Sequence, residues 1–270
     1  MTKRILEGQV ALVTGAGRGL GRAFAEQLAA LGCNVAVHGM REHGPSEFGG
    51  SETLTDVANS IAEKYSVRTV KVLGDLTRTE DIERTVAVAT TDLGPIEVLV
   101  HNAGGDIAAA GGKPNPNDVV NIKAEDVRAV IDRNLLSTIF VCQHVARRMM
   151  ERRRGRIITI GSVAAFKGRT NASIYATAKA GAMHFTRCLA DQMRSYDVTV
   201  NTIAPGDTRT ERFIATRTVD PARMAEAGTL DRIATVDEVA RIVEFFAGPM
   251  GAFVSGQVIR VDGGGQTWAA

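Results

Sequence analysis

Tyr175 and Lys179 stand four residues apart in Tyr175-Ala-Thr-Ala-Lys179. On a helix that spacing places both side chains on one face, one turn apart. A phenol ordinarily ionises near ~10 and is a poor base at neutral pH. An ammonium one turn away favours the phenolate by Coulomb attraction. Such a phenol can take a proton from an alcohol or return one to a ketone. Ser162 follows the apolar run Arg156-Ile-Ile-Thr-Ile160-Gly161, where its hydroxyl could hold a substrate oxygen against the tyrosine. Taken singly, a Tyr-x-x-x-Lys pair is commonly packing plus a solvated charge. A serine after a strand is commonly a turn or cap residue.

A second feature lies near the start of the chain. Thr14-Gly15-Ala16-Gly17-Arg18-Gly19-Leu20-Gly21 separates an apolar run from a stretch with helical spacing. Glycines let the chain turn tightly and let backbone N–H groups approach a pyrophosphate. The helix that starts near Gly19 adds the positive end of its dipole. No Gly-Lys-Ser/Thr follows, so this is not a Walker A loop.

The elements that must position these residues alternate along the whole chain. Residues 9–14, 35–38, 67–73, 96–101, 156–160, 199–204 and 258–261 are short apolar runs that read as buried strands. Helical spacing is expected from Leu20 to Leu31, over 124–154 and over 173–195. Thr235 and Glu238 have capping-box spacing, with Val239, Ile242, Val243 and Phe246 behind them. Apolar strands separated by helices imply an α/β fold: a doubly wound, Rossmann-type parallel sheet of about seven strands with helices on both faces. No Pro/Ser-rich linker divides it, so residues 1–270 read as a single domain. Two stretches break the alternation, a Gly/Pro/Asn-rich loop at about 104–121 and an irregular segment at about 206–230. Both follow strand ends, where open α/β sheets bind ligands, and long loops of this kind are usually functional.

The spacing Thr-Gly-x-x-x-Gly-x-Gly resembles that of the short-chain dehydrogenase/reductase family of the classical type. Asn102-Ala103-Gly104, the set Asn134, Ser162, Tyr175 and Lys179, Pro205-Gly206 and the closing Val261-Asp-Gly-Gly264 match that family's other motifs, in order, over essentially the whole length. The resemblance implies an oxidoreductase that interconverts a secondary alcohol and a ketone by hydride transfer with a nicotinamide cofactor. It makes Tyr175 the general acid/base, with its pKa lowered by Lys179, which also binds the nicotinamide ribose. Ser162 orients the substrate, while Asn134 bends a helix and holds a water of the proton relay. Gly15, Gly17, Arg18, Gly19, Leu20 and Gly21 are expected at the cofactor phosphates, and Asn102, Ala103 and Gly104 against the cofactor. Asp75, with Leu76, is expected at the adenine. Pro205, Gly206, Thr208 and Thr210 are expected near the nicotinamide, Thr210 at its carboxamide. Thr208 stands where the family usually has Ile or Val, and His101 replaces an Asn that usually precedes Asn102. The resemblance also implies a homotetramer, or sometimes a dimer, packed through the helices that carry Asn134 and Tyr175.

An acidic residue reading the ribose 2′-OH is expected about 20 residues past the cradle. Gly39 stands there, and no carboxylate precedes Glu42. Arg18, Arg41 and His38 are cations close to that point, and arginine can grip a 2′-phosphate with two hydrogen bonds. NADP(H) is therefore the expected cofactor, with NAD(H) as the second choice; the loop at 43–50, with Glu47, leaves the preference open. A 3-oxoacyl-(acyl carrier protein) reductase, a sugar or polyol dehydrogenase, and a catalytically silent dinucleotide sensor are the alternative functions.

Composition narrows the remaining classes. Lys and Arg total 32 against 30 Asp and Glu, so no whole-chain field draws it to nucleic acid or a membrane surface. No run approaches 18 apolar residues. Cys33, Cys142 and Cys188 lie far apart, which fits a reducing cytoplasm better than a disulfide framework. The five histidines show no metal-ligand spacing, so no metal site is expected. Arg147, Arg148 and 152–154 read as a solvated helix C-terminus. Trp268, the sole tryptophan, lies in the tail.

Overall fold

The computed structural model describes residues 4–225 and 228–267, so Trp268 and part of the 206–230 segment lie outside the described residues. Seven strands form one parallel sheet: β1 (Val10–Thr14), β2 (Asn34–Gly39), β3 (Thr69–Leu73), β4 (Ile96–His101), β5 (Gly155–Ile160), β6 (Val198–Pro205) and β7 (Val258–Val261), in spatial order β3-β2-β1-β4-β5-β6-β7. All five residues of β1 and all eight of β6 are buried. That is why these strands read as continuous apolar runs rather than alternating ones.

Helices cover both faces. On one side lie α1 (Gly19–Ala30), α2 (Leu54–Tyr65), α8 (Val236–Ala240) and α9 (Ile242–Ala247). There Phe24, Leu28, Val57, Ile61, Val243 and Phe246 pack against Val13, Val35 and Val100. On the other lie α3 (Thr79–Leu93), α5 (Ser137–Arg152) and α6 (Ser173–Met193). There Ile82, Val86, Val141, Val145, Met149, Leu189 and Met193 pack against Leu12, Leu99, Ile157 and Val200. Alternate residues of one strand thus serve opposite cores. Among the described residues no helix is long and apolar enough to cross a membrane.

Three local outcomes bear on the site. The helix expected without a break over 124–154 is divided into α4 (Ala124–Ile131), a π turn (Asp132–Leu136) and α5. The capping box at Thr235 is present, with Thr235 N donating to Glu238 Oε2 at 2.9 Å and Glu238 N to Thr235 Oγ1 at 3.2 Å. Within 206–230 the structure has a short helix, α7 (Glu211–Thr216), where the sequence reads as irregular. The parallel register places Thr14 beside His101 and His101 beside Thr159. The loops that leave β1, β4 and β5 therefore emerge side by side at the carboxyl edge of the sheet, at the point where strand order reverses.

Candidate active site

The turn between β1 and α1 is built for close backbone approach. Gly15 has φ +65°, a left-handed conformation that costs most residues 1–2 kcal/mol but glycine almost nothing. A Cβ on Gly21 would lie 1.9 Å from the Gly15 carbonyl oxygen, so no other residue fits there. Asn102 Nδ2 donates to the carbonyls of Thr14 and Gly15, both at 3.2 Å. Thr14 Oγ1 accepts from the N–H groups of Asn102 and Ala103, both at 3.0 Å. Thr14 also meets His101 Nδ1 at 3.1 Å. His101 is buried, and burial together with the Lys179 charge holds it down at about 3. It is a neutral link between Thr14 and Ser137 Oγ, which lies 3.5 Å from its Nε2. No side chain caps the first turn of α1, so its orphan N–H groups are available to an anion.

Ser162 leaves β5 and Tyr175 lies in the first turn of α6, where the Ser162 side chain favours ionisation of the phenol. Ser162 Oγ also accepts from Ala164 N at 3.1 Å, so it caps a short helical turn while facing the phenol. Lys179 is buried one turn behind. Its Nζ lies 5.8 Å from the Tyr175 ring centre and donates to the Ile160 carbonyl at 2.7 Å. Burial pushes the ammonium down to about 8. Burial raises Tyr175 above its ordinary value and the Asp106 charge adds to this, while Ser162 and the charges of Arg212 and Arg217 offset it only in part.

Asn134 is fully buried in the π turn. Its Nδ2 donates to the carbonyls of Val130 (2.8 Å) and Gly105 (2.9 Å), and its Oδ1 accepts from Gly105 N at 2.8 Å. The side chain thus takes over main-chain bonds that a regular helix would make itself, which is a physical origin for a π bulge. Gly104 follows Ala103 on the same loop and approaches Asn134 so closely that a Cβ there would lie 2.7 Å from its Oδ1.

At the outer part of the cleft, Asp75 ends the β3 segment. Its Oδ1 accepts from Thr77 N and Oγ1, at 3.0 and 2.8 Å, while Leu76 is buried. Gly206 follows Pro205 at the end of β6 and abuts Asp262. Thr208 is buried with its hydroxyl on the Gly206 carbonyl at 3.1 Å. Thr210 Oγ1 accepts from Phe213 N at 3.1 Å, capping α7, and its methyl group packs over Gly19.

A family model described as short chain dehydrogenase matches residues 9–220. The chain belongs to the short-chain dehydrogenase/reductase family. It is 33% identical to the 3-oxoacyl-[acyl-carrier-protein] reductase FabG of Escherichia coli (strain K12), over 96% of this chain and 97% of that one. It is equally 33% identical to a cyclohexanol dehydrogenase of Rhodococcus sp. (strain TK6), over 96% of each. A solved structure of 7α-hydroxysteroid dehydrogenase complexed with NADH and 7-oxo glycochenodeoxycholic acid superposes with a TM-score of 0.82 at 27% identity, covering 99% of this chain and 98% of that one. This dehydrogenase/reductase is therefore an oxidoreductase acting on a CH–OH or carbonyl group of a small molecule.

The residues of the dehydrogenase fit a nicotinamide dinucleotide. The uncapped α1 terminus and the glycine turn match a pyrophosphate, and Arg18 Nη1 is buried without a partner. Arg18 Nη2 holds Glu47 Oε2 at 2.7 Å, and its guanidinium stacks on Phe48 at 4.4 Å. The loop at 43–50 therefore folds over the cradle and brings its own anion to the arginine. His38 corrects the expectation of a third cation there. It is buried beneath the cradle, its Nδ1 faces Gly15 N (3.3 Å) and its Nε2 faces the Gly74 carbonyl (3.1 Å). Burial holds it down at about 4, so it is neutral. Arg41 stays exposed at the end of β2. Sequence reasoning missed Arg212, which reaches from α7 to the Asp106 carbonyl at 2.7 Å and ties the two long loops together. An arginine in an irregular segment gives no local signal of that role.

Proposed function

We propose that this dehydrogenase/reductase interconverts a secondary alcohol and its ketone with NADP(H), accepting NAD(H) less well. The observation that supports this most is the convergence of Ser162 and Lys179 on Tyr175, with Lys179 Nζ 5.8 Å from its ring centre, beside an uncapped glycine turn. When bound, the dinucleotide supplies or accepts the hydride. In the reductive direction Ser162 donates a hydrogen bond to the carbonyl oxygen and aligns it with Tyr175. Tyr175 gives its proton to that oxygen as charge develops. Its raised pKa keeps the phenol protonated and ready at neutral pH. The Lys179 ammonium favours the phenolate that remains and, with Tyr175, contacts the cofactor. Asn134 holds open the π turn against which α6 packs, which serves the relay returning protons from solvent. Gly15, Gly17, Arg18, Gly19, Leu20 and Gly21 hold the phosphates, while Asn102, Ala103 and Gly104 back the cofactor. Asp75 and Leu76 flank the adenine, and Pro205, Gly206, Thr208 and Thr210 flank the nicotinamide.

The NADP(H) preference is supported by the end of β2. Glu42, the first carboxylate there, is tied to Thr55 Oγ1 at 2.5 Å and Lys71 Nζ at 2.9 Å, so it is withdrawn from a ribose hydroxyl. Arg18 and Arg41 remain for a 2′-phosphate. A homotetramer, or a dimer, in the cytoplasm completes the reading; free and deeply buried thiols at Cys33 and Cys142 agree with a reducing compartment. A 3-oxoacyl-(acyl carrier protein) reductase is the second reading, favoured by the 33% identity to that enzyme. Tyr175→Phe tests the reaction class. NADPH oxidation with a panel of ketones should fall below a few per cent, while NADPH affinity measured by fluorescence stays within twofold. Retained turnover refutes the assignment of Tyr175.

A further inference from the structure

The two loops expected to shape the substrate site, that at 104–121 and the segment that carries α7, meet at the bond from Arg212 to the Asp106 carbonyl. Arg212 is half-buried there, and only its Nη2 is spent, on the Asp106 main-chain oxygen. Its carboxylate neighbours are Asp106 and Glu47, yet it forms an ion pair with neither among the described residues. Burial and the nearby Arg18 charge disfavour its cation, so a ligand anion would relieve an existing cost. Arg217 and Lys113 add positive charge at the same mouth. Arg217 is bonded to Asp207 Oδ1 at 2.8 Å, and Lys113 Nζ reaches the Thr216 carbonyl at 3.3 Å. The Arg212 and Arg217 charges both act on Tyr175, favouring its ionised form.

A second set of groups faces the opposite need. Asp106 Oδ2 accepts from Asn117 Nδ2 at 2.8 Å, but Asp106 Oδ1 and Asn117 Oδ1 are both buried without a partner. Ser173 Oγ is buried and unpartnered too, next to the Ala172 N–H that donates to the Asn117 carbonyl at 3.1 Å. Buried polar atoms are rarely left unpaired, and unpaired carboxylate and amide oxygens ask for donors. Hydroxyl groups supply them, whereas an acyl chain would leave all three orphaned and desolvated.

We propose that the pocket takes a polyhydroxylated carboxylate, with Arg212 gripping the carboxylate and Asp106, Asn117 and Ser173 receiving hydroxyl groups. The proposal rests on the alcohol–ketone reading above and names its substrate class. In the oxidative direction the secondary C–H leaves as hydride to the dinucleotide and the O–H proton passes to the phenolate form of Tyr175, which the Lys179 ammonium favours. The alcohol becomes an oxo acid, and the cofactor is reduced by the same two electrons. Arg212 is here a specificity residue, apart from the proton-transfer set.

The full chain would be tested in two ways. Calorimetry of gluconate binding to the NADP⁺-loaded protein should show an affinity that Arg212→Met lowers about 10- to 100-fold and Arg212→Lys lowers less, as expected for loss of a bidentate charge-assisted contact. Steady-state reduction of 5-oxogluconate, fructose, cyclohexanone and acetoacetyl-CoA should give the highest kcat/KM with the oxo acid. In Arg212→Met the ratio of kcat/KM for 5-oxogluconate over fructose should fall at least tenfold, mainly through KM. Asp106→Asn should lower kcat/KM for 5-oxogluconate and fructose alike, leaving their ratio within threefold. A preference for cyclohexanone or acetoacetyl-CoA overturns the proposal and leaves the reaction class standing. So does a loss of NADP⁺ affinity in Arg212→Met as large as the loss for gluconate, since Arg212 would then serve the cofactor. If no carbonyl compound is reduced although gluconate binds through Arg212, the reaction class fails and the pocket assignment stands. Absence of gluconate binding to the loaded wild type overturns the pocket assignment.

Discussion

Replacing Lys179 with methionine should stabilise the protein while destroying its activity. Lys179 is 4% exposed and, among the described residues, its ammonium has one hydrogen-bond acceptor, the Ile160 carbonyl. Burial moves it from 10.5 to about 8. At 1.36 kcal/mol per tenfold change in proton affinity, holding that charge in the folded chain costs about 3 kcal/mol. Methionine fills a similar volume without charge. It forfeits the bond to Ile160 and leaves that carbonyl unpaired, a loss of about 1–2 kcal/mol. The balance is a gain of about 1–2 kcal/mol below pH 8, or roughly 2–6 °C in Tm for a chain of this size. Between about pH 8 and 10.5 the unfolded lysine holds a proton that the folded one has released. Wild-type stability therefore rises with pH across that window, and the methionine advantage shrinks. Thermal unfolding of the cofactor-free wild type and Lys179→Met, followed by circular dichroism at pH 7 and pH 10, reads both effects. Melting of the variant below wild type at pH 7, or an advantage that grows with pH, refutes the reasoning.

Other outcomes follow from the same geometry. His38 and His101 are held at about 4 and about 3, below the ordinary value of 6.5, so the unfolded chain takes up protons first as pH falls. Urea unfolding should show stability dropping from pH 6.5 towards 4, with a shallower slope in His38→Asn than in wild type. Gly21→Ala drives a methyl group into the Gly15 carbonyl; cofactor affinity should fall at least tenfold in a fluorescence titration, with a lowered Tm. Arg18→Ala combined with Arg41→Ala should weaken NADPH binding by more than NADH binding. Glu47→Gln, which frees Arg18 from its ion pair, should tighten NADPH several-fold and NADH less, in the same titration.

The sequence by itself determined the fold class and the order of the site. Buried parallel strands must be apolar on both faces, so β1, β4, β5 and β6 announce themselves as runs. The glycine turn reads clearly because local backbone geometry admits few other residues, and the Tyr175–Lys179 pair because helical periodicity is local. Tertiary structure alone decided which charges survive folding. His38 and Arg18 are both cationic by type, one within β2 and the other just past β1. The register buries one as a neutral link beneath the turn and leaves the other on the cleft with Glu47 brought from the 43–50 loop. Asn134 marks a helix that only its bonds to Gly105 and Val130 convert into a π turn. Arg212 and Asp106 are 106 positions apart and meet only because loops from β4 and β6 converge at one edge of the sheet. Desolvation and long-range pairing depend on what packs around a group, and no window of neighbouring residues contains that information.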